Sequence, residues 1–222
     1  SVFIIAEAGV NHNGSLKLAK KMVDVARLSG ADAIKFQTFK AEDVVTKNTE
    51  MAEYQKKNVK KNETQLDMIK KLELSNQDFI ELKRYCDKKN IIFLSTPHTE
   101  EAADFLEPLV PMYKIASGDL TNLPFLEKVS KKKKPIILST GMANLDEIAV
   151  AVKTIKKFKN NKITLLHCTT NYPCLFYEVN LKAMVEIDNE LRKGNGCQMI
   201  LQVHDELLFE CTPRSLDEVG KM

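Results

Sequence analysis

Lys35 and Lys114 each sit inside an apolar run, Ile34-Lys35-Phe36-Gln37 and Met112-Tyr113-Lys114-Ile115. A lysine placed in a buried strand carries a large desolvation cost unless an anion meets it. Two of them on different strands suit a multiply charged anionic ligand such as a phosphate ester. The alternative is that each forms a structural ion pair, with Glu7 or with Asp119. Hydroxyls at Ser117, Ser139 and Thr140 stand beside Gly118 and Gly141, whose exposed backbone N–H groups are typical phosphate donors. Further polar residues follow the same kind of apolar run: Glu7 and then Asn11-His12-Asn13, and His167 followed by Thr169-Thr170-Asn171-Tyr172. Within Ile34-Lys35-Phe36-Gln37, period-two alternation puts Lys35 and Gln37 on one face.

Strands must carry these residues. Runs rich in Ile, Val, Leu and Phe predict strands over 2–8, 33–38, 91–95, 112–116, 135–139 and 162–168. Amphipathic segments lie between them. The first starts after Ser15, a suitable N-cap, shows Leu16, Ala19, Met22, Val23 and Ala26 on one face, and stops at Gly30. Strand and helix alternating six times is the pattern of a parallel sheet covered by helices. Gly9-Val10-Asn11-His12-Asn13-Gly14 is neither a dinucleotide fingerprint nor a Walker loop. An α/β barrel is therefore expected rather than an open doubly wound sheet, with its chemistry at the carboxyl ends of the strands. A charged insertion over 40–74 with a helix near 65–71 either covers the binding site or is a solvated elaboration.

The chain has 222 residues, 44% hydrophobic and 28% charged, which excludes a disordered or collagen-like protein. No run approaches the roughly 18 apolar residues of a membrane span, and the net charge of +3 does not mark a nucleic-acid or membrane surface. Five cysteines without a CxxC pair fit reduced thiols in the cytoplasm. The first residues have no basic region, so no signal peptide is expected, and the absence of an initiator Met suggests processing or a fragment. The lysines of 131–134 read as a solvated face at a helix C-terminus and Cys168 as a packed thiol; His98, after Ser95-Thr96-Pro97, either faces the site or, the reading favoured here, is a loop histidine bound to backbone. The four histidines show no ligand spacing, so local sequence specifies no metal site.

The segments FIIAEAGVNHNG, IKFQTF, FLSTP, YKIASGDLTNLP, PIILSTGM and LLHCTTNYP, in this order, resemble the sialic acid synthases over about residues 1–184. The resemblance implies a barrel enzyme that condenses phosphoenolpyruvate with N-acetylmannosamine, or a related deoxy-diacetamido sugar, and releases phosphate. It also implies a homodimer and a divalent metal, Mn2+ or Mg2+. By the same resemblance Lys35, Lys114 and Ser117 hold phosphoenolpyruvate with Ser139 nearby, and Glu7, Gln37, Asp119 and Tyr172 face the sugar. Glu7, Lys35, Lys114 and Asp119 are the catalytic candidates, and Gln37, Ser117, Ser139, Thr140, Thr170, Asn171 and Tyr172 the substrate-binding ones. Thr170 stands where a relative places Asn, with Asn171 next to it.

After Met184 the resemblance stops. The GYSDHT-like and E(K/R)HF-like motifs, whose histidines bind the family's metal, are absent from this sequence, as is the antifreeze-like domain. Residues 182–222 instead resemble the palm motif of family A DNA polymerases around Val203-His204-Asp205-Glu206. No partner aspartate motif or basic cleft accompanies Asp205, so nucleic-acid chemistry is not expected. The expected architecture is an incomplete barrel of about six parallel units over 1–184. A helix at 181–193 and an antiparallel hairpin of strands 199–203 and 207–211 follow, in a tail unit of 185–222. The expected function is an impaired synthase or, alternatively, an inactive chimera retaining at most phosphoenolpyruvate binding. A junction of two genes near 182–184 predicts that long DNA reads from the source do not cross codons 180–190; reads and transcripts that cross them would make the fusion real.

Overall fold

The computed structural model describes residues 3–45, 64–170, 174–175, 178–179 and 197–201. Strands and helices alternate along it: β1 (Ile5–Gly9), α1 (Leu16–Leu28), β2 (Ala33–Thr38), α2 (Ala41–Val44), α3 (Gln65–Lys70), α4 (Asn76–Lys89), β3 (Ile92–Pro97) and α5 (Glu100–Leu106). There follow β4 (Tyr113–Ile115), a single 3-10 turn (Ser117–Asp119), α6 (Leu123–Lys131), β5 (Ile136–Ser139), α7 (Leu145–Lys157), β6 (Ile163–His167) and β7 (Cys197–Leu201). Polar residues start the helices as capping chemistry requires. Ser15 accepts from Leu18 N–H ahead of α1, and Ser75 with Asp78, and Asn144 with Glu147, form capping boxes on α4 and α7.

All strand pairs are parallel and follow chain order, β1-β2-β3 and β4-β5-β6-β7, with β3 lying beside β4. Parallel ladders align side chains across neighbouring strands, so two faces can be read from the register. Ile34, Phe36, Phe93, Tyr113, Ile115, Ile136, Leu138, Ile163 and Leu165 form one face. They make a buried core with Val23, Phe79, Leu82, Leu126, Val129 and Ile155 from the helices. Phe36 stacks on Phe93 with ring centroids 6.0 Å apart. The opposite face carries Ala33, Lys35, Leu94, Lys114, Ile137 and Leu166, also buried. This second face holds the lysines, so the helix-packed core fixes the chemistry from behind.

Two expectations need correction. The strand expected to start at 199 starts at Cys197, and it joins the parallel sheet beside β6, from Ile163↔Cys197 to His167↔Leu201. The described parallel strands therefore number seven, where six were expected. The physical reason is the free edge of β6, which offers unpaired backbone groups. A strand reached through a connection of more than two dozen residues can return parallel, which a tight hairpin cannot do. The predicted helix 181–193, the arm 207–211 and Asp205 lie outside the described residues. The lysines of 131–134 are also more than a solvated face. Lys132 pairs with Asp104 and Glu107 at 2.5 and 2.6 Å, Lys133 donates to Phe158 O, and Lys134 donates to Glu107 O and Val110 O. Lys133 and Lys134 thereby tie down carbonyls at the ends of α7 and α5, while Lys132 meets carboxylates of α5 and its cap.

The ends of the insertion pack beside the first strand–helix loop. Glu73 accepts from Ala41 N–H at 2.6 Å, and Lys70 pairs with Glu42 at 2.5 Å. Gly14 has φ +69°, and a methyl group there would lie 2.3 Å from Lys71 O. Both the backbone and the space demand glycine. Gly14→Ala is expected to destabilise the fold by about 1–3 kcal/mol, read as a lowered urea midpoint with an unchanged m-value.

Candidate active site

Register places Glu7 beside Lys35, and the carboxylate Oε2 lies 2.5 Å from Lys35 Nζ with both side chains nearly buried. Lys35 Nζ also donates to Thr96 Oγ1 at 3.3 Å, across the next ladder. At the end of β1 the register shifts between Glu7 and Gly9. Gly9 has φ +52°, and a methyl group there would stand 3.5 Å from Glu7 Oε1 and 3.7 Å from Gln37 Nε2. The kink thus gathers Glu7, Lys35 and Gln37 at one sheet end.

Lys114 differs from Lys35. It is 7% exposed, and among the described residues no carboxylate stands within ion-pair distance of it. Burial, reinforced by the charge of Lys35, pushes its pKa down from 10.5 to about 8, against the pull of Cys168 and Glu7. Of the two alternatives left by the sequence, Lys35 has its structural ion pair with Glu7, and Lys114 has none with Asp119.

Asp119 faces His98 instead, with Nδ1 4.0 Å from Oδ2. Burial pushes the Asp119 carboxyl up, opposed by a hydrogen bond from Asn122. Burial first, then Lys35 and Lys114, push His98 down to about 4, so its ring is neutral near pH 7. The 3-10 turn directly after β4 carries both Ser117 and Asp119 to this end of the sheet. Gly141 allows β4, β5 and β6 to close up there: a methyl group on it would lie 3.3 Å from Ser117 Oγ, 3.3 Å from the Thr170 methyl and 3.4 Å from Cys168 O. Ser139 is buried two residues beyond Ile137, the register partner of Lys114. Thr140 donates its hydroxyl proton to Leu166 O at 2.8 Å, which joins β5 to β6.

The arrangement can bind an anion between strands and move protons beside it. A match to the NeuB family model covers residues 22–197. The chain belongs to the NeuB family. It is 50% identical over 199 residues to N,N'-diacetyllegionaminic acid synthase of Legionella pneumophila, covering 87% of this chain and 56% of that protein. It is 36% identical over 185 residues to human N-acetylneuraminate-9-phosphate synthase, covering 83% of this chain and 51% of that protein. The chain therefore spans about half the length of the curated relatives it matches. The crystal structure of N-acetylneuraminic acid synthetase from Leptospira borgpetersenii, in complex with citrate, superposes with a TM-score of 0.76 at 27% identity, covering 99% of this chain and 90% of that one.

In this NeuB-family chain the structure brings Glu7, Lys35, Gln37, Lys114, Ser117, Asp119, Ser139 and Thr170 to one end of the parallel sheet, while Asn171 and Tyr172 lie outside the described residues. Sequence reasoning favoured a backbone-bound His98 over one facing the site. Its N–H does donate to Thr38 O at 3.2 Å, yet its ring faces the site. The available signal was spacing: Thr96 pairs with Gln37, and His98 lies two residues on. His12 was also given no role. It is buried, accepts Gly14 N–H on Nδ1 at 3.1 Å, and packs 6.0 Å from Phe36. Among the described residues no group of three or more His, Cys, Asp or Glu side chains is arranged to hold a metal ion. The described residues thus present no ready ligand set for the divalent ion that the resemblance implies, and the chemistry below falls on the chain's own side chains. Nor is any described helix long and apolar enough to cross a membrane.

A lysine held below its ordinary pKa makes the folded state bind fewer protons than the unfolded one between about pH 8 and 10.5. The penalty is fully present below pH 8 and is relieved as pH rises. Lys114→Met is expected to stabilise the chain by about 1–3 kcal/mol at pH 7. That advantage should shrink toward pH 10.5, and urea titrations at pH 7, 8.5 and 10 would show it.

Proposed function

We propose that the chain carries the substrate-holding part of a synthase that condenses phosphoenolpyruvate with N-acetylmannosamine or a related 2-acetamido sugar, giving a nonulosonic acid and phosphate. The observation that carries this reading is Lys114: a buried ammonium without a carboxylate partner among the described residues, next to Lys35 and the Ser117–Gly141 approach. Such a group is stabilised by the arrival of an anion and by little else. The relatives named above are synthases of sialic and legionaminic acids by name, which supplies the substrate class.

The chemistry then falls on this chain's own residues. Lys35 and Lys114 hold the phosphate and carboxylate, and the Ser117 hydroxyl donates to an anion oxygen. The enol carbon attacks the open-chain aldehyde, and the aldehyde oxygen takes a proton. Asp119 suits that transfer, because burial favours its protonated form. Water adds to the oxocarbenium ion, and phosphate leaves by cleavage of its C–O bond. Glu7 keeps Lys35 oriented and, with Gln37, meets the sugar. The supporting resemblance further implies a cytoplasmic homodimer and Mn2+ or Mg2+ in longer family members. Because the chain spans about half of its relatives, the expected turnover of this polypeptide alone is weak or nil.

Phosphoenolpyruvate at about 100 times its Kd is expected to stabilise the chain by about 2.7 kcal/mol, visible as a higher thermal midpoint. Lys114→Met should abolish the rise. Sialic acid formation at a full-length enzyme's rate, measured with N-acetylmannosamine and Mn2+, would overturn the impaired reading; the absence of any ligand-induced shift would overturn the anion site.

A further inference from the structure

His98 carries a half-buried imidazole that the reaction above does not use. It lies directly after β3, where Pro97 restricts the backbone ahead of it. Its N–H is fixed to Thr38 O, and its ring meets the edge of Phe39 with centroids 6.1 Å apart. Among the described residues the charged groups that act on it are Lys35 from β2, Lys114 from β4 and Asp119 from the turn after β4, and Glu7 from β1 pairs with Lys35. At 4.0 Å the approach of Nδ1 to Asp119 Oδ2 is too long for a hydrogen bond.

With the site free, two ammonium groups oppose a third positive charge on His98. A dianion beside Lys35 and Lys114 reverses that field, because it outweighs the one cation left unmatched by Glu7. We infer that an anion seated beside Lys35 and Lys114 draws a solvent proton onto the His98 ring, which then donates through Nδ1 to Asp119. His98 is thus the positioning residue of that carboxylate. One N–H bond forms at the ring, the proton comes from solvent, and no other bond changes. The first substrate thereby orients the group that receives the second. The inference rests on the proposed anion site.

Sulfate is a suitable probe, because it does not itself titrate across the relevant range. The full chain has four histidines, so its ring signals can be followed individually by NMR. The His98 signal is assigned by its loss in His98→Gln or, if that variant does not fold, by elimination through His12→Gln, His167→Gln and His204→Gln. Saturating sulfate is expected to raise the His98 titration midpoint, about 4 in the free chain, by about two pH units or more, which brings ring protonation into the neutral range. In Asp119→Asn the rise should be smaller. A thermal midpoint raised by sulfate while the His98 titration stays put would overturn the inference and leave the anion site standing. If neither sulfate nor phosphoenolpyruvate raises the thermal midpoint, the site reading fails and the inference falls with it.

Discussion

The burial of two ammonium groups on one face of a parallel sheet is the constraint around which the rest of the structure is arranged. Desolvating a single lysine is costly, and two close together also repel. Glu7 resolves half of the problem by meeting Lys35 in register. The other half stays unresolved at Lys114, which has no carboxylate partner among the described residues and is held in place by the packing of β4. Tyr113 and Ile115, on either side of it, are both fully buried in the helix-facing core. The lysine between them has no other direction to take, because period-two alternation sends it to the opposite face. The core therefore does more than stabilise: it forces a charge into a place that solvation would not choose.

Backbone geometry at the strand ends completes the arrangement. Gly9 and Gly141 both remove a side chain where strands converge, and each opens room for a polar neighbour, Gln37 and Glu7 at the first and Ser117 and Thr170 at the second. The short β4 gives way at once to a 3-10 turn that puts Ser117 and Asp119 on the same end of the sheet. Helix caps and the lysines tied to the ends of α5 and α7 secure the opposite side of each unit. Stability is concentrated in the helix-facing layer, and the strand ends carry the polar groups that work against it.

Much of this was legible in the sequence because the signals were local. Apolar runs located six strands to within a few residues, and Lys35 and Lys114 stood out as charges inside them. Helix starts were legible for the same reason, as Ser15 shows. What sequence left open was pairing. Nothing in Ile34-Lys35-Phe36 or Tyr113-Lys114-Ile115 says which lysine acquires a carboxylate; the register of β1 on β2 decides it. The parallel course of β7 was equally hidden. A short apolar segment carries no direction, and the edge it joins is defined only once β6 is in place. His98 was left between a backbone-bound loop residue and a site-facing one, and both hold: its N–H donates to Thr38 O, while its spacing from Thr96 keeps the ring on the site's side of the strand.

The unequal treatment of the two lysines has a mechanistic logic. A site in which both were neutralised by carboxylates would be more stable when free and would bind a multiply charged anion poorly, since ligand and carboxylate would compete. A site with neither neutralised would repel itself. Pairing one and leaving the other gives a fixed cation, oriented by Glu7, and an adaptable one whose protonation follows its surroundings. At neutral pH the adaptable lysine still carries its charge, and an arriving anion strengthens that state instead of having to displace a partner. The cost is borne in the free protein and removed on binding. That difference between the two states is what allows charge placed in a nonpolar layer to act on a ligand.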